Sequence, residues 1–121
     1  MIDSTGWIDY FAEGPKAGAY SKVIEQTAPG QIVTPSVVVL EVYRKIKKDR
    51  GEEKALEAHA HMETTRLVNL DSNIALSAAD IGLRTKLGTV DSIIYATTVK
   101  YKARLLTSDH HFQGLAQVTI V

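Results

Sequence analysis

Cysteine is absent from the 121 residues, which removes disulfides and thiolate metal sites together. Net charge is absent too, since 14 Lys and Arg balance 14 Asp and Glu. That excludes a strongly basic coat of the kind that wraps nucleic acid, though not a local basic patch. No apolar run approaches the roughly 18 residues of a membrane span, and the first residues carry no signal-peptide pattern, so the expected location is the cytoplasm. Internal repeats, low-complexity tracts and linker-like stretches are missing as well. What remains is an ordinary composition, 45% hydrophobic and 23% charged, suited to one domain over residues 1–121 with a core of its own.

The chain reads as short strands alternating with helices. Met1-Ile2 is a brief apolar start. Ser4 or Thr5 caps a helix through about Phe11, and a second helix fits Lys16 to Gln26. Pro29-Gly30 marks a turn. Gln31 to Thr34 reads as a strand, with Pro35 suited to the first turn of a helix over Ser36 to Arg50 that stops at Gly51. Glu52 to Thr64 is helical in composition, Arg66 to Leu70 a strand, and Asp71 or Ser72 caps a helix to about Leu87. Asp91 opens a helix over Ser92 to Lys102. Arg104 to Thr107 is a strand, His110 to Leu115 a loop or turn, and Val118 to Val121 a last strand. This alternation predicts crossover units and a parallel sheet of four to five strands in a three-layer α/β/α sandwich. In such folds ligands bind beyond the carboxyl ends of the strands.

Acids stand at those ends. Asp3 follows the first strand, Asp109 follows "RLLTS", Asp91 opens the helix leading to that strand, and Glu41 lies about one turn into the helix after "IVTP". Carboxylates gathered at one edge repel unless a cation neutralises them. All-oxygen ligands suit a hard ion, Mg²⁺ or Mn²⁺, and metal-assisted phosphodiester hydrolysis is the implied chemistry. Each acid also has a plainer explanation. Asp91 and Asp3 serve as helix caps, Asp109 initiates a turn, and Glu41 forms an i,i+4 ion pair with Lys45. At ~100° per residue, Glu41, Arg44, Lys45 and Lys48 share one side of their helix. That stripe is either a solvated face or a ridge contacting phosphates beside the acidic centre.

The order of these motifs resembles the PIN-domain ribonucleases, in particular the VapC-type toxins of toxin–antitoxin pairs. The matching stretches are "MIDSTGWIDYF", "TPSVVVLEVYRKI", "GTVDSIIYATTVKYKARLLTSD" and "LLTSDHHF", and together they span the chain. The resemblance implies a parallel sheet between helices, an acidic quartet of Asp3, Glu41, Asp91 and Asp109 holding Mg²⁺ or Mn²⁺, and cleavage of RNA. It implies that Thr107 is a site hydrogen-bonding residue, with Ser4 and Ser108 as further hydroxyls there; Arg44 and Lys45, on the charged stripe beside Glu41, are the candidate RNA contacts. A homodimer and a small inhibitory antitoxin are implied as partners. Many relatives carry a further acid two residues after the fourth; here that position is His111, so one bound ion is expected rather than two.

Other residues take quieter roles. His59 and His61 point about 200° apart on a helix and cannot share one ion. His110 and His111 stand nearer the acids and read first as loop residues, with contact to RNA phosphate or acid chemistry near neutral pH as the alternative. Trp7, Tyr10 and Phe11 fall at helical spacing and pack their helix inward. Asp71 reads as a helix cap and Asp80 as surface or dimer contact. A phospho-acceptor receiver domain has similar length and architecture, with Asp71 as acceptor, but Asp3 lacks a neighbouring acid and "VTIV" lacks a Lys. A haloacid-dehalogenase-type phosphatase wants a second Asp where Thr5 stands. A catalytically silent PIN module that only binds has no reason to hold four carboxylates together.

Overall fold

The computed structural model describes residues 1–121. Six helices carry most of the chain: α1 (Ser4–Ala12), α2 (Ala17–Gln26), α3 (Ser36–Arg50), α4 (Glu52–Glu63), α5 (Ser72–Arg84) and α6 (Thr89–Lys100). The strands are three residues each: β1 (Val33–Pro35), β2 (Arg66–Val68), β3 (Leu105–Thr107) and β4 (Val118–Ile120). β1 pairs with β2 and β3 with β4, both in parallel. Ile2 adds a parallel bridge to Leu106, through Leu106 N–H to Met1 O and Asp3 N–H to Leu106 O, both 3.0 Å.

The fold is therefore α/β, mostly helical, with short parallel strands. The backbone hydrogen bonds define two two-stranded pairs rather than one ladder of four to five strands. Three residues leave room for few ladder bonds, so side-chain burial holds the pairs more than the backbone does. β1 is buried along its whole length, and Leu105 and Thr107 of β3 are fully buried.

Boundaries moved where local chemistry overrode pattern. Gln31 belongs to a 3-10 turn, Pro29–Gln31, and β1 starts only at Val33. Pro35 ends the strand and caps α3 instead of opening it, because its extended backbone lies outside the helix. α5 stops at Arg84, three residues before Leu87. Thr85 turns extended there, donates its hydroxyl to Ile81 O (2.8 Å) and accepts Leu87 N–H (3.1 Å). α6 begins at Thr89 with Gly88 as its cap, so Asp91 sits inside the first turn and is not the cap. His110–Phe112 is a 3-10 turn pinned by fully buried Phe112.

One core runs through the molecule, with Trp7, Tyr20, Val38, Val42, Met62, Ile94 and Leu105 at or near zero exposure. α1 packs its aromatic side inward. Trp7 stacks on Phe11 with ring centroids 5.7 Å apart, and His61 of α4 meets Trp7, Tyr10 and Phe11 edge-on. His59 pairs instead with Glu63 at 2.8 Å. The two histidines do have separate tasks. Asp71 caps α5 by accepting Ile74 N–H at 2.9 Å, and Asp80 is exposed.

A carboxylate cluster at the strand ends

The bridge between Ile2 and Leu106 sets the registration of the site. It places Asp3, the next residue, beside Thr107, the last residue of β3. Both side chains are buried, Asp3 at 3% and Thr107 at 0% exposure. The Thr107 hydroxyl donates to Asp3 Oδ2 at 2.7 Å and accepts Asp109 N–H at 2.9 Å. One threonine thus fixes two acids from distant parts of the chain. Asp3 Oδ1 also accepts Ser4 N–H at 2.8 Å, and its carbonyl accepts from Gly6 and Trp7. Asp3 is both a helix cap and a member of the cluster.

Glu41 arrives on α3, which packs against α1 and α6. The expected ion pair with Lys45 is not formed. Lys45 reaches forward to Asp49 at 3.0 Å on the exposed side of the helix, while Glu41 turns half-buried toward Ser4 and Asp3. Glu41, Lys45 and Asp49 lie on one i,i+4 row, and Lys45 pairs with the exposed Asp49 rather than with the half-buried Glu41. Arg44 and Lys48 lie on the exposed side with Lys45.

The charges of the four acids act on one another. Burial raises the Asp3 pKa, and Asp109 adds to the rise, while the Thr107 and Ser4 hydrogen bonds oppose it. Burial raises the Glu41 pKa, Ser4 opposes, and Asp3 raises it again. Asp91 is pushed up to about 6, first by burial and then by Asp109, Asp3 and Glu41, with His111 acting the other way. Asp91 therefore lies within electrostatic reach of Asp109, Asp3 and Glu41.

Two further residues complete the surroundings. Tyr20 of α2 is fully buried and its hydroxyl lies 2.6 Å from Ser108 Oγ, tying the residue after β3 to the core. Sequence reading passes over Tyr20, because an aromatic at an apolar helix position signals packing only. His111, read as a loop residue, stands with a ring nitrogen 2.8 Å from Asp109 Oδ1. Its Asp-His-His surroundings were the available signal, but spacing alone does not say which way a turn directs a ring. Asp91, Asp109 and His111 can each offer a ligand atom, all within 4.8 Å of one another.

Oxygen donors with one imidazole at the edge, in a cluster with too much negative charge, fit a hard divalent cation. The same set has no thiolate, so softer sites of the zinc-finger kind do not fit.

Comparison with known families places this arrangement. The family model for the PIN domain matches residues 1–118. The chain belongs to the PIN domain family. Among solved structures, this PIN domain is similar to a toxin–antitoxin complex from Klebsiella pneumoniae, at 25% identity over 98% of this chain and 93% of that one, with a TM-score of 0.80. It is also similar in fold to VapC20 of Mycobacterium tuberculosis, described as a sarcin–ricin loop cleaving toxin. That match has 16% identity, covers 95% of this chain and 93% of the other, and has a TM-score of 0.79. Comparison with curated proteins finds no match. No helix of the PIN domain is long and apolar enough to cross a membrane.

Proposed function

We propose that this PIN domain is a metal-dependent endoribonuclease acting as the toxin of a toxin–antitoxin pair. The observation that carries the reading is the meeting of Asp3, Glu41, Asp91 and Asp109 beyond the strand ends, where Asp91 feels the other three. A toxin–antitoxin complex and a loop-cleaving toxin among the structural relatives support the biological side. The receiver-domain alternative falls with the family assignment.

The four acids would hold Mg²⁺ or Mn²⁺, which when bound supplies positive charge for the phosphodiester and a more acidic water for its hydrolysis. The chain's own residues do the positioning. Thr107 holds Asp3 and the backbone at Asp109 in fixed relation, and Ser4 steadies Glu41. Ser108 is held by Tyr20, so it offers a fixed hydroxyl rather than a free one. Arg44 and Lys45, exposed on α3, would contact RNA phosphates, Lys45 after leaving Asp49. A small antitoxin, a homodimer, a cytoplasmic location and a single layer of strands between helices complete the proposal.

The test is cleavage of a mixed RNA pool with Mg²⁺ or Mn²⁺. Wild type should cut and should stop on adding EDTA, and Asp3→Asn and Asp91→Asn should be inactive though folded. Cleavage indifferent to EDTA and to both substitutions overturns the reading. A metal-binding protein that cuts nothing would favour the silent module instead.

A further inference from the structure

We propose that His111 contributes a nitrogen ligand to the ion held by Asp91 and Asp109, and so biases this site toward Mn²⁺ over Mg²⁺. The inference rests on the metal-site reading above and specifies which of this chain's residues complete it.

The 3-10 turn sets the ring in place. Asp109 Oδ1 accepts the His111 backbone N–H at 2.9 Å and lies 2.8 Å from His111 Nδ1. Phe112, the next residue, is fully buried and anchors the turn. His111 is thereby held over Asp109 from both backbone and ring, although its side chain is 77% exposed. His110, its neighbour, faces Gln113 instead at 3.3 Å.

Distance then decides whether one ion can reach all three. Donors around an ion with bonds of about 2.1 Å stand at most roughly 4.2 Å apart. The three candidate atoms lie within 4.8 Å of one another. At most about 0.6 Å separates that spread from the reach of one ion, and the His111–Asp109 pair is already inside it at 2.8 Å. The remaining acids are less adaptable, since Asp3 has both oxygens engaged, by Ser4 N–H and Thr107.

Ligand chemistry gives the selectivity. Mg²⁺ holds oxygen ligands and waters and takes imidazole poorly, while transition-metal ions accept it. A cluster that swaps an oxygen donor for a ring nitrogen loses some preference for Mg²⁺ and gains some for Mn²⁺.

Pulsed EPR of Mn²⁺ added to the metal-free protein reads this directly, without RNA or turnover. Nitrogen coupling from an imidazole should be present in wild type, retained in His110→Ala and lost in His111→Ala and His111→Gln. Calorimetry should show Mn²⁺ affinity falling about tenfold in His111→Ala, with Mg²⁺ affinity within twofold. His111→Asp should improve Mg²⁺ binding relative to Mn²⁺. Mn²⁺ that binds and is lost in Asp91→Asn, yet shows no nitrogen coupling or keeps it in His111→Ala, overturns this inference and leaves the metal site standing. Wild type that binds no Mn²⁺ overturns both.

Discussion

Replacing Asp91 with Asn asks whether the cluster stores repulsion. In the folded chain this carboxyl is pushed from 3.8 to about 6. Between those values the native state holds a proton that the unfolded state has released. Native stability is therefore highest on this account below about pH 4 and is lost as pH rises through about 6. A shift of that size corresponds to about 3 kcal/mol for a fully desolvated group. Asp91 is only half-buried, so water screening reduces the expected effect to about 1–1.5 kcal/mol.

Asparagine keeps the shape and does not titrate. In EDTA, the stability of Asp91→Asn relative to wild type should rise by that amount between about pH 3 and pH 8. The difference in melting temperature between the two proteins should grow by about 4–6 °C over the same window. Trp7 provides the signal, being the only tryptophan, fully buried and stacked on Phe11. The plainer role predicts the opposite slope. A carboxylate placed in a first helical turn only to complement the helix dipole has a lowered pKa, and its removal costs more as pH rises. Asp3 and Glu41 titrate in concert with Asp91, which enlarges the change without reversing it. A difference that stays flat or falls with pH would refute a shared, unneutralised cluster.

Thr107→Val removes the donor to Asp3 and the acceptor for Asp109 N–H in one step. Urea denaturation should show a loss of about 1–3 kcal/mol, and RNA cleavage should drop about tenfold or more as the two acids lose registration; unchanged values in both would remove Thr107 from the site. Gly6→Ala would bring a Cβ to 2.5 Å from Tyr20 Cε1 and 2.7 Å from Ile2 Cγ2, so thermal melts should report about 1–3 kcal/mol of destabilisation. A neutral outcome there would mean that α1 and α2 can separate freely. Lys45→Ala should alter stability by less than about 0.5 kcal/mol, its partner being the exposed Asp49, whereas Glu41→Gln should abolish cleavage while leaving the fold intact. Cleavage that survives Glu41→Gln would remove Glu41 from the metal-binding set.

Asp3, Asp91 and Asp109 were legible in sequence because strand ends and helix starts are punctuated by Gly, Pro and capping residues; Glu41, inside α3, was found as a carboxylate in an otherwise apolar first half of its helix. Their company was not legible. Whether Glu41 turns to Lys45 or to Asp3 depends on how α3 packs against α1, which spacing does not tell. Tyr20 escaped, and His111 was placed near the site without its contact to Asp109. The first is an apolar-looking residue whose hydroxyl alone belongs to the site, and the second sits in a turn whose direction is set by the burial of Phe112. In the fold, the six helices and four strands were legible to within about three residues at their ends, because turn and capping residues punctuate them. How the strands pair was not, since three-residue strands carry too little pattern to set a sheet order.

The division of partners among the acids argues for an external cation more strongly than their number does. Asp3 has Thr107 and a backbone N–H, Glu41 has Ser4, and Asp109 has the backbone and ring of His111. Asp91 has no hydrogen bond among the influences on its charge, only burial and three repelling neighbours, eased by His111. A cluster serving stability alone would have given its most repelled member a lysine or arginine. No lysine or arginine figures among the influences on Asp3, Glu41 or Asp91, and Lys45, one turn from Glu41, pairs with Asp49 instead. The chain thus rigidifies three carboxylates through its own donors and leaves the fourth to be neutralised by something it does not encode, which is the electrostatic condition for binding a divalent ion.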